Sequence, residues 1–161
     1  MTPDYERLLT TLVEHRVDFV VIGAVALVLH GSSRVTRDLD ICYSREPSNL
    51  QRLAAALKPF SPTLRGAPSG LPFTLDVPAL KSGLNFPLTS PAGDIDLFGE
   101  VTGLGAYAVV ERLSEWMTVY ERNVRVLNLD GLERGKKATG RLKDLLDLAE
   151  IAEIRKQSAS G

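Results

Sequence analysis

Residues 19–41 read FVVIGAVALVLHGSSRVTRDLDI, and the order of residue types along them decides the fold. Phe19, Val20, Val21 and Ile22 form a short apolar run that stops at Gly23, so Asp18 to Ile22 reads as a buried strand entering a glycine turn. Ala24 to His30 holds small and branched apolar residues with no breaker before Gly31, which favours a short helix. The polar segment Ser32 to Arg37 then leads to a second strand, around Leu39 to Tyr43, where Asp38 and Asp40 alternate with Leu39 and Ile41. Residues two apart on a strand share a face, so the two carboxylates stand side by side.

The flanking sequence supplies the rest of an α+β chain. Upstream, Thr2 can cap a helix that opens with Pro3 and buries Tyr5, Leu8, Leu9, Leu12 and Val13. Downstream, Ser48 can cap a helix with a Leu50, Leu53, Ala54, Leu57 stripe that Pro59 stops. Phe60 to Pro72 is rich in proline and glycine and reads as a mobile loop beside the site. Leu84 to Thr89 and Ile95 to Phe98 form a hairpin through Ser90 to Gly93, with Asp94 as a turn residue. Met117 to Tyr120 and Val124 to Leu129 form another across Glu121, Arg122 and Asn123, so the sheet is mixed. From Arg141 a last amphipathic helix is expected to bury Leu142, Leu145, Leu146, Ala149, Ala152 and Ile154. Residues 1–156 make one domain, and 157–161 are a polar tail.

Composition narrows the function. At 161 residues and a net charge of −1, one core is expected and there is no global field to hold nucleic acid or an anionic membrane. Cys42 is the single cysteine, which rules out an internal disulfide framework and fits a reducing, cytoplasmic address. No run reaches the ~18 to 20 apolar residues of a membrane span, and no secretory leader pattern opens the sequence.

Two carboxylates on one strand face repel, and a divalent cation relieves the repulsion; magnesium, which takes few carboxylates plus phosphate oxygens, suits them. The bland alternative is a pair facing solvent on an edge strand. A third aspartate, Asp96, sits on a later apolar strand. The string Gly23, Ala24, then Asp38-Leu39-Asp40-Ile41, and later Ile95-Asp96-Leu97, resembles the DNA polymerase beta-type nucleotidyltransferase superfamily, with its h-G-[GS], D-h-D and h-D-h signature. HGSSRVTRDLDI is similar to the G-x-x-R-x-T-x-D-h-D stretch of small bacterial nucleotidyltransferases of the AbiEii kind, and the likeness spans about residues 18–150. It implies the nucleotidyltransferase fold: a mixed twisted sheet flanked by helices, with a C-terminal helix.

The same resemblance implies transfer of a nucleoside monophosphate from a nucleoside triphosphate, such as ATP, to an acceptor hydroxyl. Asp38 and Asp40 would ligate two magnesium ions, and Asp96 would bind the catalytic one and orient or deprotonate the acceptor. Gly23 would let triphosphate approach the strand-to-helix turn; Ala24, where the family has Gly or Ser, offers only its N–H. Ser32, Ser33, Arg34 and Thr36 offer hydroxyls and a guanidinium for phosphate, although Arg34 could equally pair with a nearby carboxylate. KKATGRLKDLLDL resembles the K-x-x-x-x-R-x-K-D segment of these enzymes, which makes Lys136 the triphosphate lysine; the plainer reading is a solvated face with a Lys143–Asp147 pair. His30 is read as a packing residue. The acceptor is open between tRNA or other RNA, protein and small molecule, and a toxin with a cognate antitoxin is one biological setting. The alternatives are a noncatalytic nucleotide-binding or antitoxin-like module, kept alive by Ala24, and a subunit that pairs through its last helix.

Overall fold

The computed structural model describes residues 3–68 and 70–160. Helix α1 (Tyr5–Glu14) precedes β1 (Phe19–Ile22), α2 (Gly23–Leu29) and β2 (Asp38–Tyr43). The apolar run, glycine turn and acidic strand therefore fold as their residue types dictate. The expected cap Thr2 lies outside the described residues. Asp4 caps α1, its carboxylate accepting from the Arg7 N–H at 3.0 Å, and Pro3 precedes the helix instead of opening it.

Helix α3 (Pro47–Leu57) starts two residues earlier than expected, because Pro47 brings a preset φ to the first turn; Ser48 lies inside it and is not its cap. Pro59 does not end the helical path, which tightens into a 3-10 turn over Lys58–Phe60. The proline-rich segment is not wholly irregular: β3 (Thr63–Leu64) adds a short edge to the sheet and α4 (Val77–Ser82) follows. Strands β4 (Asn85–Thr89) and β5 (Asp94–Phe98) form the expected hairpin, with Ser90 and Gly93 exchanging backbone hydrogen bonds of 3.0 and 3.1 Å. After the small β6 (Glu100–Val101) and β7 (Gly105–Ala106) ribbon comes α5 (Tyr107–Arg112), then β8 (Ser114–Val119) and β9 (Arg122–Leu127). Their connection is Tyr120 and Glu121, at φ of 50° and 61°, a two-residue turn whose twist suits a hairpin better than the expected three-residue one. Helix α6 (Leu129–Thr139) ends where Gly140 turns left-handed at φ 63°, and α7 (Leu142–Ser160) carries helix through most of the expected polar tail.

The seven-stranded sheet runs β3-β4-β5-β2-β1-β9-β8. β2 pairs with β5, and β1 with β9, in parallel; the other neighbours are antiparallel. The sheet is mixed and flanked by helices, as the sequence implies. Leu8, Leu12, Val20, Val21, Leu39, Ile41, Leu53 and Leu97 are buried in one core cluster. Among the described residues no helix is long and apolar enough to cross a membrane.

The last helix overturns an expectation. Leu142, Leu145 and Leu146 are 76 %, 55 % and 67 % exposed, and Ala149 and Ala152 face solvent too. The side of α7 that packs inward carries Asp144, Asp147, Ile151 and Ile154. Of the residues expected to be buried, Ile154 alone lies on this side; the other five face away from it. Three basic or hydroxyl groups on neighbouring segments, Arg34, Lys136 and Thr139, draw the aspartates inward and set the rotation of the helix.

Candidate active site

The register of β2 on β5 places Asp38 beside Asp94 and Asp40 beside Asp96. Each acid is half-buried while the residues between them, Leu39, Ile41, Ile95 and Leu97, are buried, so all four carboxylates share one face. Carboxylate oxygens of Asp38, Asp40 and Asp96 lie within 4.8 Å of one another. The bland picture of an exposed edge pair is thereby excluded: β2 is an interior strand, paired on both sides. Asp94 is the first residue of β5 and not a turn residue.

Burial, together with the charges of Asp96 and Asp38, pushes the Asp40 carboxyl up to about 7, with the Lys136 ammonium pulling weakly the other way. Asp40 Oδ1 is buried without a hydrogen-bond partner. Crowded carboxylate oxygens with one orphan among them are what a hard divalent cation satisfies, so these residues fit magnesium. Gly23 stands over this group at φ +68°, and a Cβ there would overlap Asp40 Oδ2 and lie 3.1 Å from its Cγ. The immediate reason for glycine is thus the Asp40 side chain.

Sequence reasoning missed Arg65. It comes from the proline-rich segment just past β3, with Nη2 donating to Asp96 Oδ1 at 2.5 Å and to the Leu88 carbonyl at 2.8 Å, and Nε 3.1 Å from Asp94 Oδ2. No local pattern marks an arginine among prolines and glycines as the counter-ion of Asp94 and Asp96; only the β3–β4 pairing brings it there.

The expected phosphate ligands divide into two groups. Gly23, Lys136 and Asp40 line one cavity of about 260 Å³, which has Ile22, Leu104 and Leu132 among its apolar walls. Ala24 follows Gly23 as the second residue of α2. The loop residues instead point to other partners: Thr36 Oγ1 shares a hydrogen bond of 2.6 Å with Tyr5 Oη, Ser32 Oγ donates to Glu150 at 2.7 Å, and Ser33 is exposed. Arg34 Nη2 donates to Asp147 at 2.6 Å and also to Glu150. Lys136 Nζ sits 3.0 Å from Asp147 and 3.6 Å from Asp144, so Asp147 serves Lys136 and Arg34 and not Lys143. Burial opposes ionisation of Asp147, yet Arg34 and Lys136 outweigh it and hold its carboxyl below the ordinary range. His30 Nε2 donates to the Leu127 carbonyl, 2.9 Å away, a packing role. A larger groove of about 790 Å³ lies at the other end of β2, against Tyr43, Arg45 and Tyr107, and holds none of the three clustered aspartates.

The fold recurs in solved structures. A Thermotoga maritima protein described as a candidate nucleotidyltransferase superposes with a TM-score of 0.54 at 14 % identity, over 100 % of this chain and 97 % of that one. ANT(2″)-Ia, in complex with adenylyl-2″-tobramycin, gives 0.58 at 11 % identity over 97 % and 93 %. An antigenic nucleotidyltransferase-like protein from Paracoccidioides brasiliensis gives 0.54 at 15 % over 95 % and 77 %. The chain has the nucleotidyltransferase fold. No protein-family model matches the sequence, and no curated protein matches it. At these identities the likeness is one of nucleotidyltransferase architecture, and the chemistry is argued from the carboxylates themselves.

Proposed function

We propose that the chain is a magnesium-dependent nucleotidyltransferase that moves a nucleoside monophosphate from a nucleoside triphosphate to an acceptor hydroxyl. One observation carries this reading: Asp38, Asp40 and Asp96, from two strands, gather within 4.8 Å around an orphan buried oxygen, beside a cavity that also holds Gly23 and Lys136. The acceptor hydroxyl gives its proton to Asp96 or to solvent as its oxygen attacks the α-phosphorus, the bond to the oxygen bridging to the β-phosphorus breaks, and pyrophosphate leaves. Asp38, Asp40 and Asp96 would hold magnesium, which supplies neutralisation of the charge that builds on the phosphoryl oxygens. Asp96, steadied by Arg65, orients the acceptor hydroxyl. Lys136 meets the triphosphate, and Gly23 and Ala24 leave the turn above Asp40 open to it. Ser32, Arg34 and Thr36 support the site from the loop through Glu150, Asp147 and Tyr5, and exposed Ser33 remains open to a phosphate contact.

The test is incubation with each common nucleoside triphosphate and magnesium, reading pyrophosphate release and label transfer to RNA, protein or small hydroxyl compounds. Transfer to a small molecule would parallel ANT(2″)-Ia, whose complex holds an adenylylated tobramycin. Release abolished by Asp96→Asn supports the reading; triphosphate binding with no release from the wild-type chain refutes it in favour of the noncatalytic module. A toxin role would show as growth arrest on expression that Asp96→Asn removes.

A further inference from the structure

We infer that Asp147 is a positioning residue that fixes the Lys136 ammonium in the wall of the cavity shared with Gly23 and Asp40, with Arg34 as the counter-ion that keeps Asp147 in place. This rests on the nucleotidyltransferase reading above. Asp147 is 2 % exposed, on the inward face of α7. One of its oxygens takes Arg34 Nη2 at 2.6 Å and the other lies 3.0 Å from Lys136 Nζ. Asp144, 0 % exposed, is 3.6 Å from the same ammonium, but its other oxygen is committed to Thr139 at 2.5 Å and to the Arg141 backbone N–H at 3.1 Å, holding the α6–α7 corner.

A lysine left alone spreads its charge over many rotamers and loses that freedom when it binds phosphate. A buried carboxylate at 3.0 Å removes the freedom beforehand, and the ammonium keeps donor capacity for a ligand. Withdrawing Lys136 toward a distant partner would strip Asp147 of half its compensation inside the protein, which is unfavourable for a buried charge. The lysine is therefore held in place and does not swing. Each hydrogen bond of Arg34's guanidinium runs through Nη2, and Glu150, which shares it, also accepts from Ser32. The loop before β2 is thereby tied to α7, so one carboxylate links that loop to the wall beside Asp40. This explains why α7 turns its aspartates inward at the expense of its leucines.

The experiment is calorimetric titration of the full chain with magnesium tripolyphosphate, which carries no base. Asp147→Asn is expected to weaken binding about tenfold when Lys136 is present and to change it less than about twofold in a Lys136→Met background, since coupled sites are not additive. Asp147→Glu keeps the charge but moves it by one methylene; it is read in the same two backgrounds should Asp147→Asn not fold, with loss of affinity again expected only beside Lys136. Equal losses in both backgrounds, wild-type affinity in the Asp147 variants, or tighter binding by Asp147→Asn would overturn the inference while leaving the reading of the site intact, provided Lys136→Met alone loses affinity. Failure of the wild-type chain to bind would overturn both.

Discussion

Asp40→Asn should stabilise the metal-free protein and disable it. Asp40 shifts from 3.8 to about 7 on folding. In that window the folded chain binds more protons than the unfolded one, so stability falls as pH rises from about 4 to 7, and the penalty is complete above 7. Three units at 1.36 kcal/mol each set a ceiling of about 4 kcal/mol, and partial solvent access reduces the expected gain at about pH 8 to roughly 1–3 kcal/mol. For a chain of this size that is a rise in Tm of about 3–10 °C. The assay is thermal melting in a chelator at about pH 8 and pH 4, repeated with excess magnesium at the higher pH. The variant should melt above wild type at pH 8, the gap should close toward pH 4, and magnesium should raise wild type far more than the variant. A variant that melts at or below wild type at pH 8, or a gap that does not depend on pH, refutes the argument that the carboxylates are held together against their own repulsion.

Gly23→Ala places a Cβ against Asp40 in a left-handed conformation, and should cost more than about 1 kcal/mol in urea unfolding as well as magnesium affinity. Burial pushes the Cys42 thiol up to about 12, so a disulfide reagent at about pH 8 should find no reactive thiol in the native chain and one in denaturant. Leu145→Lys should change stability by less than about 0.5 kcal/mol, whereas Ile151→Ala, on the buried face of α7, should cost about 2–4 kcal/mol; the reverse order in a melting series would restore the leucine face to the core.

What could be read from residues 19–41 was read because local chemistry and final environment agree there: an apolar run, a glycine and an alternating acidic strand have one good solution. Asp96 was legible for the same reason, lying between Ile95 and Leu97 on a strand with the same alternation. Arg65 was not, since its partners lie 23 and 31 residues downstream and meet it only through sheet pairing. The face of α7 was misjudged because periodicity weighs apolar residues alone, and here Arg34 and Lys136, distant in sequence, compensate Asp147 and make it the better side to bury. Asp144 and Asp147 stand out in the sequence as two acids three apart, close behind a basic run and so on one face of the helix, but that spacing alone does not say the face is buried.

The parallel register of β2 on β5 also governs how this chain can change in length. Inserting or deleting a single residue within either strand would swap inward and outward positions, sending acids toward the core and putting leucine or isoleucine on the face where Asp38, Asp40 and Asp96 cluster. Such a lesion inverts the chemistry of the whole face in one step. Length variation is therefore expected to collect in connections between strands and helices and to spare both acidic strands.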